Sequence, residues 1–554
     1  MEKINITNIH IRDYTSPGDA DSANGIRAAL TKALEITAGG RESVAVRFEA
    51  GEYRLADPCE VSGGRFRRSS AAGDGLDPGE GEKQSLTEAY VAAAGLKNVT
   101  LEGAVDENGT PATTLSGGYD GELNSIQPSI LFFRDCLSLT LRNFRIVRSP
   151  MFGSAGEVIS TDGETLKIRV FEGNPVRGRM GSYCMNRFTR GGDGSWVLTG
   201  ESLTYGQGGA DCLTREGEDI MVLRDPKVAS RVEPGDAVSW HDGAKTDFQS
   251  YFGGCRGLTL ENIRTPNTNG FAMLAFQCRN ITAKNISFAP EGKMLFCGPR
   301  DAWKLQSCSG NIRIEGMEVE GVRMDGQNMH STFFFIRRVG RGRGSCVVST
   351  KHHYVPLEDG SEFEIYDGAD FTLRRVTRWL FLGEREGKQL YALTFEGGLP
   401  EFADVGTMLL ARCLAPDSYV CEDSSFRNIA GAGHLSRISN MRIRRCRYEN
   451  LMNPGILMGA EFTFFHEGGS SRDCVIEDCS FANCGFHPRY GAVGCIAARC
   501  AGLDGPYNRR IRIRGCSFAD SEVGVHIADA EDVTVENCDY INIANEIVYD
   551  DKRF

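Results

Sequence analysis

Asp301 and Asp325 stand 24 residues apart, in Asp301-Ala-Trp303 and Asp325-Gly-Gln-Asn328-Met-His330. Two carboxyl groups at a fixed separation can divide proton donation from water activation. For a glycosidic bond the gap decides the outcome: about 6.5–9.5 Å admits a water and inverts the anomeric centre, whereas about 5–5.5 Å lets one carboxylate attack it directly. On neighbouring coils of a stacked fold, with strands about 4.8 Å apart, the two positions would lie roughly 5 to 10 Å from each other. Trp303 could stack on a sugar face, and Asn328 and His330 could bond hydroxyl groups. A further run, Phe464-Phe-His466-Glu467-Gly-Gly469, sets another carboxylate beside aromatics. Each residue also has a plainer reading. Asp is a common solenoid turn residue and Asp-Gly an ordinary turn dipeptide, while Trp303 could be a rim residue, His330 a satisfied core imidazole and Glu467 a surface charge.

Such a site needs elements that repeat with the same period. Short alternating phrases recur: Leu258-Thr-Leu-Glu-Asn-Ile263, Ile281-Thr-Ala-Lys-Asn-Ile286, Ile312-Arg-Ile-Glu-Gly-Met317, Met441-Arg-Ile-Arg-Arg-Cys446 and Val533-Thr-Val-Glu-Asn-Cys538. The apolar residue after each turn falls in an equivalent slot, at Phe144, Ile263, Ile286, Met317, Cys446, Cys479, Cys516 and Cys538. Period-2 alternation inside a longer repeat predicts an all-β chain, a right-handed parallel β-helix whose like residues stack in internal ladders. An amphipathic helix over Asp19–Ile36, with Ile26, Leu30 and Leu34 on one side, is expected to cap the N-terminal end, followed by strands at Val44–Phe48 and Gly51–Tyr53. Two stretches break the period, Glu157–Val238 and Phe333–Leu414. They are read as small β-barrel or sandwich insertions at 151–240 and 332–417, leaving 1–150, 241–331 and 418–554 as a discontinuous β-helix. Ser62–Glu82, rich in Gly, Ser, Arg and Asp, reads as a long surface loop.

The 554 residues allow two or three structural units, and 66 Gly against 18 Pro imply many tight turns. A net charge of −12, with basic residues scattered in short groups, argues against nucleic acid as a partner. No stretch of eighteen apolar residues and no N-terminal apolar segment is present, so neither membrane insertion nor export is expected, and a cytoplasmic location is. Nineteen cysteines lack the C-x2-C grouping of zinc modules; reduced, buried thiols acting as small apolar rungs are the better reading, and they fit a reducing compartment. No metal or organic cofactor is required, and a homodimer is compatible with everything read here.

The phrase Asp301-Ala-(x)5-Cys308-x-Gly310-x-Ile312-x-Ile314, followed by Asp325-x-x-Asn328-Met-His330-x-Thr332-Phe333, resembles the core of glycoside hydrolase family 110, the α-1,3-galactosidases acting on blood-group-B-like glycans. The resemblance runs from Leu131-Phe-Phe-Arg-Asp-Cys136 through Gly235-Asp236, Gly254-Cys255-Arg256 and Ala272-x-x-Ala275-x-Gln277 to Phe465-His-Glu467-Gly-Gly469. It implies an exo-acting hydrolase that removes a terminal α-linked galactose, or a related sugar, from an oligosaccharide with inversion. Asp301 would be the acid and Asp325 the base, with Trp303, Asn328, His330, His466 and Glu467 shaping the pocket. The chain departs from the family where Met324 precedes Asp325 in place of a second aspartate, where Ala432-Gly433 replaces an arginine-glycine, and where His466 replaces a tyrosine. Two alternatives follow: a weakened member that binds glycans, or another β-helix enzyme acting on polysaccharides, such as a pectate lyase or polygalacturonase. The last lacks its adjacent aspartates, its Gly-His-Gly and any calcium cluster here.

Overall fold

The computed structural model describes residues 6–67, 83–118, 127–204, 212–243, 248–350, 354–368, 370–385, 388–463, 465–488, 491–500, 502 and 507–549. Successive phrases pair in parallel and in register. Leu258, Leu260 and Ile263 stand beside Leu139, Leu141 and Phe144 on one coil and beside Ile281, Ala283 and Ile286 on the next. Asn before several slot residues takes positive φ (52° at Asn262, 53° at Asn285 and 53° at Asn537), as Gly316 and Gly515 do before Met317 and Cys516 at 68° and 62°. Some of these turns stack, the Asn262 amide donating to Asn143 and the Asn483 amide to Asn450. The fold is an all-β parallel β-helix with one continuous interior core.

The inward ladder links all eight anticipated slots, with one rung the alternation concealed. Glu318 pairs with Ser425 and Ser425 with Arg447, which places Ser424 between Met317 and Cys446. Its hydroxyl accepts the Met317 N–H at 3.0 Å, so a polar residue fills the slot with its acceptor satisfied. Beside it runs an aromatic ladder, Phe426, Tyr448, Phe481, Phe518 and Tyr540, with ring centroids 4.7–5.3 Å apart. The rung cysteines are free thiols.

The capping helix spans Ala23–Thr37 and buries Ile26 and Leu30 together with Ala23, Ala29 and Ala33. Leu34, expected on the same side, is 37% exposed, because the small alanines rather than Leu34 form the contact stripe. The strands expected at Val44–Phe48 and Gly51–Tyr53 lie at Ser43–Arg47 and Gly51–Leu55. Residues 62–67, anticipated as part of a loop, belong instead to the strand Cys59–Arg67, which pairs antiparallel with Lys83–Ala94; the rest of that anticipated loop, 68–82, lies outside the described residues.

The two stretches that break the period differ from each other. Between Gly153 and His241 eight strands pair antiparallel around their own core of Val158, Leu166, Ile168, Leu213, Met221 and Trp240. Their order ends at Arg179–Gly181 on one side and Trp196–Thr199 on the other. Among the described residues the strand order does not close, so of the barrel and sandwich readings it is the barrel that lacks its closing pair. The second stretch closes on itself. Gln327–Val339 pairs with Ser345–Thr350, then in turn follow Lys388–Phe395, Phe371–Arg385, Glu362–Tyr366 and Met408–Ala411, which returns to Gln327–Val339. The strand that opens this six-stranded ring is at its start also a rung of the solenoid: Gln327, Asn328 and Met329 pair in parallel with His434, Leu435 and Ser436.

Candidate active site

Three strands of adjacent coils carry the candidate residues. Trp303–Gln306 pairs with Gln327–His330, which pairs with His434–Ser436, so that Trp303, Gln327 and His434 share one register position and Lys304, Asn328 and Leu435 the next. Alternation fixes what faces where. Trp303, Leu305 and Met329 join the solenoid core, while Lys304, Gln306, Asn328 and His330 take the opposite face. Trp303 is therefore not a sugar platform: it is fully buried inside the coil, its ring 6.4 Å from that of Phe288. An even offset from Lys304 or Asn328 would have been needed to point it outward.

Asp301 and Asp325 are neighbours at the start of these strands. The Asp325 carbonyl accepts the Ala302 N–H at 3.0 Å, and the Asp325 N–H donates to Asp301 Oδ1 at 3.3 Å. From the coil on the other side the Ala432 N–H donates to Asp325 Oδ1 at 2.9 Å. That approach depends on Gly431, where a Cβ would lie 2.4 Å from the Met324 backbone and 2.7 Å from Asp325 Oδ1. Asn328 Nδ2 lies 3.3 Å from Asp301 Oδ2 and 3.4 Å from Glu467 Oε1, and Asn328 Oδ1 is 2.9 Å from His330 Nδ1. One amide thus joins an aspartate, a glutamate and an imidazole.

Glu467 arrives on a two-residue strand, Glu467–Gly468, antiparallel to Ser331 and Thr332. It enters where the strand leaves the solenoid for the barrel. Gly468 is needed for this fit, since a Cβ there would meet the Phe333 ring at 3.0 Å. The Glu467 carboxylate has Lys304 Nζ at 3.4 Å, Arg437 Nη2 at 3.1 Å and His330 Nδ1 at 3.6 Å. His466 is buried with φ of 51°, its N–H donating to Glu461 and its ring meeting Phe335 edge-on at 5.3 Å. The described contacts of His466 thus run to the barrel strand and to Glu461, while Asp301, Asp325, Asn328, His330 and Glu467 form one connected cluster. Phe464, from the same run, lies outside the described residues.

The electrostatics divide the three carboxyls. Burial pushes Glu467 up, but His330, Arg437 and Lys304 outweigh it and hold the group well below the usual carboxylate range. Burial raises Asp301, with Glu467 adding to the rise against the pull of Lys304. Burial and the charge of Asp301 push Asp325 up to about 7. The cluster therefore holds one readily ionised, cation-matched carboxylate and two aspartates that share a reluctance to ionise together. A pair of this kind passes through a state with one proton between two groups, which is what an acid and a base acting in concert require.

Two members were absent from the sequence reading. Lys304 was within reach, since its offset of three from Asp301 matches that of Asn328 from Asp325. Arg437 follows the rung His434–Ser436, and no spacing ties it to Glu467. Among the described residues, no group of three or more His, Cys, Asp or Glu side chains is arranged to hold a metal ion.

No family model matches the chain. Over 274 residues it is 23% identical to alpha-1,3-galactosidase B of Phocaeicola vulgatus, an alignment covering 46% of this chain and 44% of that protein. The chain thus spans less than half the length of the curated relative it matches. Among solved structures, the A-module of the Azotobacter vinelandii mannuronan C-5 epimerase AlgE4 superposes with a TM-score of 0.43 at 11% identity, covering 98% of this chain and 97% of that one. An exopolygalacturonase from Thermotoga maritima gives 0.37 at 10% identity, covering 99% and 92%. Superpositions this loose carry no argument about the site.

Proposed function

We propose that the chain is an exo-acting glycoside hydrolase that removes a terminal α-linked galactose, or a closely related sugar, from an oligosaccharide. The sequence relationship to a galactosidase supports a carbohydrate-active protein. The observation that carries the finer reading is the coupled pair itself: Asp301 and Asp325 on adjacent coils, both pushed toward the protonated form, with Glu467 ionised beside them. In this reading the pair holds one proton between its two carboxyls, and Asp301 delivers it to the departing glycosidic oxygen. Asp325, poised near neutral pH and held by the Ala432 amide, takes a proton from the water that attacks the anomeric carbon from the opposite side, giving inversion. Asn328 holds Asp301 in place and, with His330 and Lys304, offers donors to sugar hydroxyls. Glu467 fixes the cations around it and presents an acceptor. The solenoid is taken as right-handed, as parallel crossovers almost always are, and the segments 151–240 and 332–417 as units inserted into it.

Proton NMR of the sugar released from a panel of α-linked galactosides and N-acetylgalactosaminides tests activity, preference and stereochemistry together. The expected result is a β-anomer appearing first from an α-galactoside, and its loss in Asp325→Asn. Wild type and Asp325→Asn equally inert, yet both binding galactose, would replace this reading with glycan binding alone.

A further inference from the structure

Behind the cluster, inside the solenoid, lies a polar network in an otherwise apolar core. His434 is fully buried, with Tyr419 Oη 3.2 Å from its Nε2 and Tyr448 Oη 2.9 Å from its Nδ1. The Tyr419 hydroxyl donates to Gln327 Oε1. A phenol has one proton to give. Since that of Tyr419 goes to Gln327, His434 donates from Nε2 to Tyr419, and its Nδ1 bonds the Tyr448 hydroxyl. The Phe426 ring, 4.6 Å from the imidazole, and the Cys421 thiol beside it close the surroundings.

Two members of this network, Gln327 and His434, open the strands that follow Asp325 and Ala432. Gln327 is two residues beyond Asp325 and in register with His434, and His434 is two residues beyond Ala432, the residue whose N–H donates to Asp325 Oδ1. We propose that His434 is a positioning residue that, through Tyr419 and Gln327, sets the height of one coil against the next and so the seating of the Ala432 amide on Asp325. The inference rests on the hydrolase reading only for its catalytic consequence. The groups facing Asp325 are Asp301 from the coil before, the Ala432 amide and Arg437 from the coil after, and Glu467 from the short strand at the barrel junction. His434 touches none of these side chains in the described contacts and acts through the backbone.

The test reads Asp325 without substrate, from the pH dependence of unfolding free energy in wild type compared with Asp325→Asn. A carboxyl whose folded pKa lies above its unfolded one lowers stability as pH rises between the two values, here from the ordinary 3.8 to about 7, and adds no further pH dependence above that. In a Tyr419→Phe background the upper end of this window is expected to move alkaline by about half a pH unit, because a loosened amide no longer favours the carboxylate. Tyr448→Phe, cutting the network at its far end, is expected to lower stability and leave the window in place. A Tyr419→Phe window coincident with wild type, or a Tyr448→Phe window displaced as far, overturns the proposal. Gln327→Met severs the same link and carries the test if Tyr419→Phe does not fold. A displaced window in a protein that cleaves no glycoside would remove the hydrolase reading and leave the coupling intact; an unmoved window in an active enzyme would do the reverse.

Discussion

Glu467 and the two aspartates respond to acid in opposite senses. Glu467 is held below its ordinary value by His330, Arg437 and Lys304, so its contribution to stability is fully present above about pH 4.5 and is lost as pH falls toward its folded value. Glu467→Gln leaves Lys304 and Arg437 buried beside a neutral amide. At pH 7 it is expected to destabilise by about 3 kcal/mol or more, with the difference from wild type shrinking below pH 4, as read from urea unfolding. Asp301→Asn and Asp325→Asn should each lower kcat by about 10²-fold or more. In the wild type kcat/KM should pass through a maximum, rising as the aspartate pair gives up its first proton and falling as it gives up the second, the later step near pH 7; a profile flat from pH 5 to 9 would contradict the assignment. These two aspartates were legible because their spacing equals one coil, and Asn328, His330 and Glu467 because they neighbour candidate chemistry in sequence. Trp303 was misplaced by judging a residue type without its parity within the strand. Arg437 was invisible for a different reason: its partner lies 30 residues on, and only the folded coil brings the two together.

Elements hold this geometry by close approach of backbones. Gly431 sits where a methyl group would strike both the Met324 carbonyl and the Asp325 carboxylate. Gly431→Ala is expected to cost about 1–3 kcal/mol in thermal or urea unfolding and to displace Asp325, lowering kcat more than it changes KM. The ladders make a second prediction. Cys446, Cys479 and Cys516 are buried rungs whereas Cys413 is exposed, so a thiol reagent should modify Cys413 in the native protein, slowly because partial burial pushes its thiol up to about 11, and those three only on unfolding. Mass spectrometry of the labelled peptides checks it. Alternation made most of the rungs readable from sequence. Ser424 escaped because its type argues for a surface, and only its bond to the Met317 amide explains its place inside. The aromatic ladder was hidden in plain view, one strand beyond the residues that marked the period.

At the scale of the whole molecule the buried face of the helix Ala23–Thr37 continues the interior core, as a cap on the first coil would. Leu30→Asp should peel this cap from the first coil and expose parallel strand edges, seen as light scattering and a lowered midpoint on heating; an unchanged, monodisperse variant would show that the helix is ornamental. The repeat announced this architecture from sequence, but the difference between the two interruptions was beyond it. Both read as alternating strands with Gly and Asp turns, and only long-range pairing reveals an open sheet in one and a closed ring in the other. The ring shares its first strand, Gln327–Val339, with the solenoid, and the Glu467 strand docks at the joint. A single ribbon is therefore both a support of the carboxylate cluster and a stave of the appended cylinder. A tilt of that cylinder would be expected to reach His330 and Glu467 directly. Changes on its far side, remote from the carboxylate cluster, would offer selection a way to shift these side chains while their identities stay the same.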